Sequence, residues 1–192
     1  MDTLRKRYNC KYEVGSTGAF AISLVKNPAT TNHFIALSEQ EELITLSNVD
    51  SEQRIVMGLV LQPGQFIPRY DKDTKEYFDI TFDVETIKDL SQNFFMDSNQ
   101  HNSKLEHKAA IKDVVIVESW LIENPEIDKS ANFGMNFPKG SWMATMKINN
   151  DEIWNEYVKT GEVRGFSVDA FVQLEEINLK TEIKMSKLQS IL

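Results

Sequence analysis

The sequence predicts an α+β protein, a closed or nearly closed β structure carrying two helices. Three observations lead there. Segments with strand-like apolar patterning far outnumber helical ones. Turn signals such as Gln62-Pro63-Gly64 and Pro138-Lys139-Gly140 punctuate them. Helical spacing with a cap beside it is confined to two stretches, 83–96 and 149–161.

The elements follow in order. Residues 19–25 read as a buried strand ended by Lys26-Asn27-Pro28, and 33–37 as a second short apolar run. A third strand is expected at 54–61, and 77–82 alternates as a half-buried strand does. Asp83 is placed as an N-cap, with Glu85 in the first turn where the helix dipole favours an acid. Val84, Ile87, Leu90, Phe94 and Phe95 then form one helical face. A polar loop at 97–102 leads into a strand-like segment ended by His107. Residues 114–122 are apolar on both faces apart from Glu118 and Ser119, which predicts a strand covered on both sides. After a polar loop at 123–137, residues 142–148 alternate again. Asn149-Asn150-Asp151 caps a short helix with Ile153, Trp154 and Val158 on one face, and Gly161 stops it. The last clear strand is 165–174.

Composition bounds the function. A chain of 192 residues supports one domain with a sizeable core. A net charge of −8 argues against nucleic-acid binding, which needs a surplus of Lys and Arg. No apolar run is long enough to cross a membrane, and the basic start at 1–7 has no apolar stretch behind it, so no secretory signal is expected. The single Cys10 excludes an internal disulfide and fits a reducing, cytosolic compartment.

The chemistry-bearing residues are few. A serine hydroxyl becomes a nucleophile when a base takes its proton, and histidine is the usual base. Of the three histidines, His33 lies in an apolar run and His101 in a polar loop, whereas His107 sits where a fixed ring could face a cleft. Ser167 follows Gly165, which permits close backbone approach, with Phe166 and Val168 as anchors on the other face. Asp169 shares its face, ~6.5–7 Å along the strand. A histidine touching both could bridge that gap, although by pattern alone an outward Ser and Asp beside a helix cap is the commoner arrangement. Glu118 interrupts an apolar run and must be paired, whether to orient a histidine or to meet a lysine or arginine. Metal ligation by His101 and His107 lacks any supporting Cys pair or His-Glu-x-x-His motif, Cys10 lacks a thiol-nucleophile signature, and no glycine-rich phosphate loop occurs.

Five motifs then appear in order: Lys104-Leu105-Glu106-His107; Val115-Ile116-Val117-Glu118-Ser119-Trp120-Leu121-Ile122; Pro138-Lys139-Gly140-Ser141-Trp142-Met143; Asn150-Asp151-Glu152-Ile153-Trp154; and Gly161-Glu162-Val163-Arg164-Gly165-Phe166-Ser167-Val168-Asp169-Ala170. Together they resemble the tailed-phage prohead serine proteases, also called capsid-maturation proteases, in their phage serine protease branch. Residues 21–29 are similar to that branch too, so the resemblance spans roughly 19–173.

The resemblance implies a herpesvirus-assemblin-like β-barrel with surrounding helices. The expected organisation is an arm at 1–18, a prohead protease domain at 19–174 and a tail at 175–192. It implies a serine endopeptidase that works without a cofactor or metal, inside the immature capsid in the host cytoplasm. Its substrates would be the phage scaffold protein and the major capsid protein, trimmed before DNA packaging. No nucleic-acid or membrane partner is expected, and a homo-oligomer is compatible with the resemblance. His107 matches the family's histidine and Ser167 its nucleophile. Asp169, which follows the serine where an acid often occurs in this branch, is favoured narrowly as third member over Glu118 of the Glu-Ser-Trp motif. A third member from a later strand would have to come from about 175–192. The alternative is a catalytically inactive homologue serving as a capsid or scaffold assembly module.

Overall fold

The computed structural model describes residues 5–28, 35–37 and 53–177. His33 and the expected tail from 178 onward lie outside the described residues. The strands are β1 (Lys6–Lys11), β2 (Gly18–Val25), β3 (Ile35–Leu37), β4 (Ile55–Leu61), β5 (Ile67–Asp71) and β6 (Glu76–Phe82). Helix α1 (Val84–Met96) follows, then β7 (Ser103–Leu105), β8 (Ala109–Ile111), β9 (Val114–Leu121), β10 (Trp142–Ile148), β11 (Gly165–Phe171) and β12 (Gln173–Glu176). Short 3-10 turns occupy Asn99–His101 and Lys129–Phe133, and Ile153–Val158 winds as a π-helix.

The expected α+β, assemblin-like closed barrel with surrounding helices does not form. The described residues are mostly β and build three separate four-stranded sheets, ordered β12-β1-β6-β5, β3-β4-β10-β9 and β11-β2-β7-β8. Closure would need the outer strands to pair with one another, and their composition opposes it. β5 carries Pro68, which cannot donate to a ladder, and β12 is a fully exposed Gln-Leu-Glu-Glu. The strand expected over 165–174 breaks at Val172, so β11 pairs with β2 while β12 pairs with β1 in another sheet.

β4 explains how one short run can be apolar throughout. Its alternating residues feed two cores: Val56 and Val60 join the main cluster, Met57 and Leu59 a smaller one with Ile122, Met143 and Phe137. The main cluster draws on all three sheets, with Ile22, Leu24, Phe82 and Trp142 buried beside Ile87, Leu90 and Phe94 of α1. Phe94 meets Trp142 edge-on at 5.8 Å between ring centroids. Asp83 caps α1, its Oδ1 accepting from the Thr86 N–H at 2.8 Å.

β9 departs from the expectation of a strand covered on both sides. It lies at a sheet edge, with Val117 48% exposed and Glu118 facing solvent. No helix among the described residues is long and apolar enough to cross a membrane.

Candidate active site

β11 and β2 run antiparallel, pairing Ser167 with Ser23, and β2 runs parallel to β7, pairing Ser23 with Lys104. Paired residues share a face, so Ser167, Ser23 and Lys104 form a row across three strands. Phe166, on the opposite face, is fully buried and pins β11 to the core. Two residues beyond Ser167, Asp169 reaches the same face.

Asp169 is the hub of this surface. Its Oδ1 lies 2.6 Å from His107 Nδ1. Its Oδ2 accepts a hydrogen bond from Ser23 Oγ at 3.0 Å and lies 3.5 Å from Lys104 Nζ. A carboxylate can only accept here, so in a neutral imidazole Nδ1 carries the proton and the lone pair lies on Nε2. Among the described residues no hydrogen bond joins His107 to Ser167; the structure brings the two together only as neighbours on one cavity.

His107 does not end a strand as its sequence context suggests; it sits in the turn between β7 and β8. Lys108 N–H closes the turn on Leu105 O at 3.0 Å, and the two central residues, Glu106 and His107, have φ of 51° and 58°. Those are the left-handed φ values of a type I′ turn, which glycine and asparagine favour. Non-glycine residues there cost roughly 1–2 kcal/mol each. Glu106 holds the turn in place: its N–H donates to Leu24 O at 3.0 Å and its Oε1 accepts from the Lys26 N–H at 2.5 Å. The turn so held brings the imidazole to Asp169.

His107, Ser167 and Asp169 all line one cavity of about 740 Å³. Ser167 is only 6% exposed, and the cavity is where it meets open space. A bulge shapes the mouth. Asp169 pairs with Ala21 but Ala170 pairs with Ala19, leaving Phe20 as an extra residue on β2. Phe20 lines the cavity, stacks on Phe171 at 5.0 Å and lies 4.9 Å beneath Lys104 Nζ. The far wall comes from another sheet, with Ile67, Arg69, Ile80 and Phe82.

The other candidates fall elsewhere. Glu118 lines a separate cleft with Phe95, Met96 and Trp120, and does not line the cavity of His107 and Ser167. Lys129 donates to its carboxylate and holds it below the usual carboxylate range. His101 is exposed in a 3-10 turn, and no cluster of three or more His, Cys, Asp or Glu fit to hold a metal occurs among the described residues. Arg164, in the motif that holds Ser167, donates Nε–H to Gly161 O at 3.0 Å and does not line the cavity. Phe20 and Arg69 carry no motif in the sequence, and Ser23 lies in the 21–29 stretch of the resemblance but is marked there only as a hydroxyl inside an apolar run.

The family model described as "Putative phage serine protease XkdF" matches residues 42–176. The chain belongs to this family. The matched span holds His107, Ser167 and Asp169, while Phe20 and Ser23 precede it. No curated protein and no solved structure matches the chain. For a phage serine protease family, a histidine bonded to an aspartate in a cavity shared with a serine is the expected kind of chemistry.

Proposed function

We propose that the protein is a serine endopeptidase with Ser167 as nucleophile, His107 as general base and Asp169 as the orienting acid. The observation that carries this reading is the 2.6 Å contact between His107 Nδ1 and Asp169 Oδ1, in a cavity that Ser167 also lines. Nε2 takes the Ser167 proton as Oγ attacks a peptide carbonyl, giving a tetrahedral intermediate. The imidazolium then protonates the departing amine, leaving an acyl-enzyme. Water, deprotonated by the same nitrogen, releases the acid and restores the serine. Asp169 stabilises the transient imidazolium, and Ser23 and Lys104 hold Asp169.

The substrates in this reading are the phage scaffold and major capsid proteins, cut inside the immature capsid during maturation. Family membership and the prohead-protease resemblance support it. Co-expression with the scaffold and capsid proteins tests it. The native chain is expected to shorten them and Ser167→Ala to leave them intact while folding normally. Equal cleavage by both proteins would remove Ser167 from the mechanism.

A further inference from the structure

Arg69 is the one arginine that lines the cavity of His107 and Ser167, and the peptidase chemistry gives it no task. Its place follows from strand alternation: β5 turns Ile67 and Arg69 to one side, and Ile67 is buried while Pro68 and Tyr70 stand exposed on the other. The guanidinium is thereby carried into a wall of Ile67, Ile80 and Phe82. Burial among these groups disfavours its charged form and pulls its pKa below the usual arginine value, opposed only by the nearby Cys10.

An arginine half-buried against apolar side chains is commonly met by a carboxylate, because withdrawal from water leaves its charge in want of a partner. None meets Arg69 among the described residues. Its Nη1 donates to its neighbour's carbonyl, Pro68 O, at 3.1 Å, and no ion pair forms. Lys104, over the Phe20 ring, lies 3.5 Å from Asp169. The cavity thus combines a serine and a histidine, an aromatic shelf of Phe20 on Phe171, and a guanidinium that meets no carboxylate among the described residues and keeps donors beyond the one given to Pro68 O.

We infer that Arg69 is a specificity residue that binds a carboxylate of the peptide substrate, with an apolar side chain of that peptide seated on Phe20 and Phe171. This rests on the peptidase reading and extends it to a substrate class, peptides that are acidic beside an apolar residue near the scissile bond. The carboxylate has two sources, an acidic side chain or a free chain terminus.

Binding to the full chain carrying Ser167→Ala separates this inference from catalysis. The probes are fluorescent peptide pools with one Glu or one Gln fixed among apolar residues, amidated at the C-terminus, and a third pool that has Gln and a free C-terminus. The Glu pool is expected to bind on the order of tenfold tighter than the amidated Gln pool. Adding Arg69→Gln should erase the difference, and Arg69→Lys should restore part of it, with far-UV circular dichroism reporting the fold of each. Tighter binding of the third pool instead would assign the carboxylate to a chain terminus. Equal binding of all three pools, or a preference that survives in a folded Arg69→Gln protein, would overturn the inference. Cleavage by the Ser167-bearing chain is scored separately, so an inactive protein that prefers the Glu pool would sink the peptidase reading alone.

Discussion

Ser23 donates its hydroxyl to Oδ2 of Asp169 at 3.0 Å, while His107 occupies Oδ1 at 2.6 Å. The aspartate is thus held from both sides, and its rotation about the carboxyl axis would break one contact or the other. Ser23 is fully buried and does not line the cavity, so it acts on the reaction only through Asp169. Ser23→Ala is expected to lower kcat roughly tenfold with little change in KM, the effect of one lost hydrogen bond to a charged group. Asp169→Asn, which spoils the imidazole tautomer, should cost about 10³- to 10⁴-fold, the scale known for a Ser-His-Asp triad. Steady-state kinetics on folded variants checks both. A Ser23→Ala enzyme with unaltered kcat would show that Asp169 is positioned without it.

Two glycines separate backbone conformation from crowding. Gly140 and Gly161 both have left-handed φ, at 85° and 72°. A Cβ on Gly140 would meet Val84 Cγ1 at 2.7 Å and Cγ2 at 2.8 Å, whereas one on Gly161 would meet nothing within 4 Å. Val84 opens α1 and is β-branched, so its χ1 cannot turn away freely. Gly161→Ala should therefore cost about 1 kcal/mol for the left-handed backbone alone. Gly140→Ala should cost roughly 2–4 kcal/mol, overpacking being added to the same penalty. Urea midpoints of the two variants measure the difference, and equal losses would contradict the packing of Val84 on this turn.

What the sequence discloses of this molecule is what is local. Asp83 and the apolar spacing after it mark α1 to the residue, and alternation marks β10 as it stands, because a cap and a period are written within one segment. The cap at Asn150 is likewise legible, its Oδ1 accepting from the Ile153 N–H at 3.0 Å. The helix it starts is a π-helix, with Lys159 N–H reaching Trp154 O, since five-residue hydrogen bonding leaves no signature in apolar spacing. β1 and β5 escape notice because Lys-Arg-Tyr-Asn-Cys-Lys and Ile-Pro-Arg-Tyr-Asp read as polar or broken; each becomes a strand through its neighbours. The partition into three sheets depends on which distant strands pair, which periodicity does not encode. The site divides the same way. That Ser167 and Asp169 share a face follows from a period of two. The meeting of His107 with Asp169 spans 62 positions; local context offers it as one arrangement among commoner ones, and family resemblance singles it out. Ser23 reaches Asp169 through cross-strand register, and Phe20 and Arg69 join the cavity through a bulge and a neighbouring sheet.

Cys10 offers a test of the core beneath Arg69. It is fully buried on β1, and burial pushes its thiol up to about 12, with Arg69 only partly opposing. Since the thiolate is the reactive form, native protein at pH 7.5 should resist a thiol reagent such as DTNB over hours. Unfolding in guanidinium chloride should release one titratable thiol at once. Rapid labelling of native protein would mean that β1 opens readily from the sheet between β6 and β12.

Acid should loosen the junction between β1 and α1 through Asp83. Burial works against ionisation of this carboxyl, but Lys11 Nζ at 2.6 Å, the Thr86 N–H at 2.8 Å and Asn9 Nδ2 at 3.1 Å together outweigh it and hold the group well below the usual carboxylate range. A depressed native pKa means that the unfolded chain binds the proton first as pH falls. The stabilisation is therefore complete above the ordinary aspartate value of 3.8 and drains away as pH drops below it toward the native value. The side chain is 37% exposed, so solvent screening limits the charged contribution to about 0.5–1 kcal/mol. Asp83→Asn keeps an N-cap acceptor and loses the charge. Its stability deficit against the native chain should be present at pH 7 and pH 5 and should shrink as the pH is taken below 3.8. Urea titrations across that series measure the gap, and a deficit that stays constant into acid would show that Lys11 and Asp83 are not coupled in the folded protein.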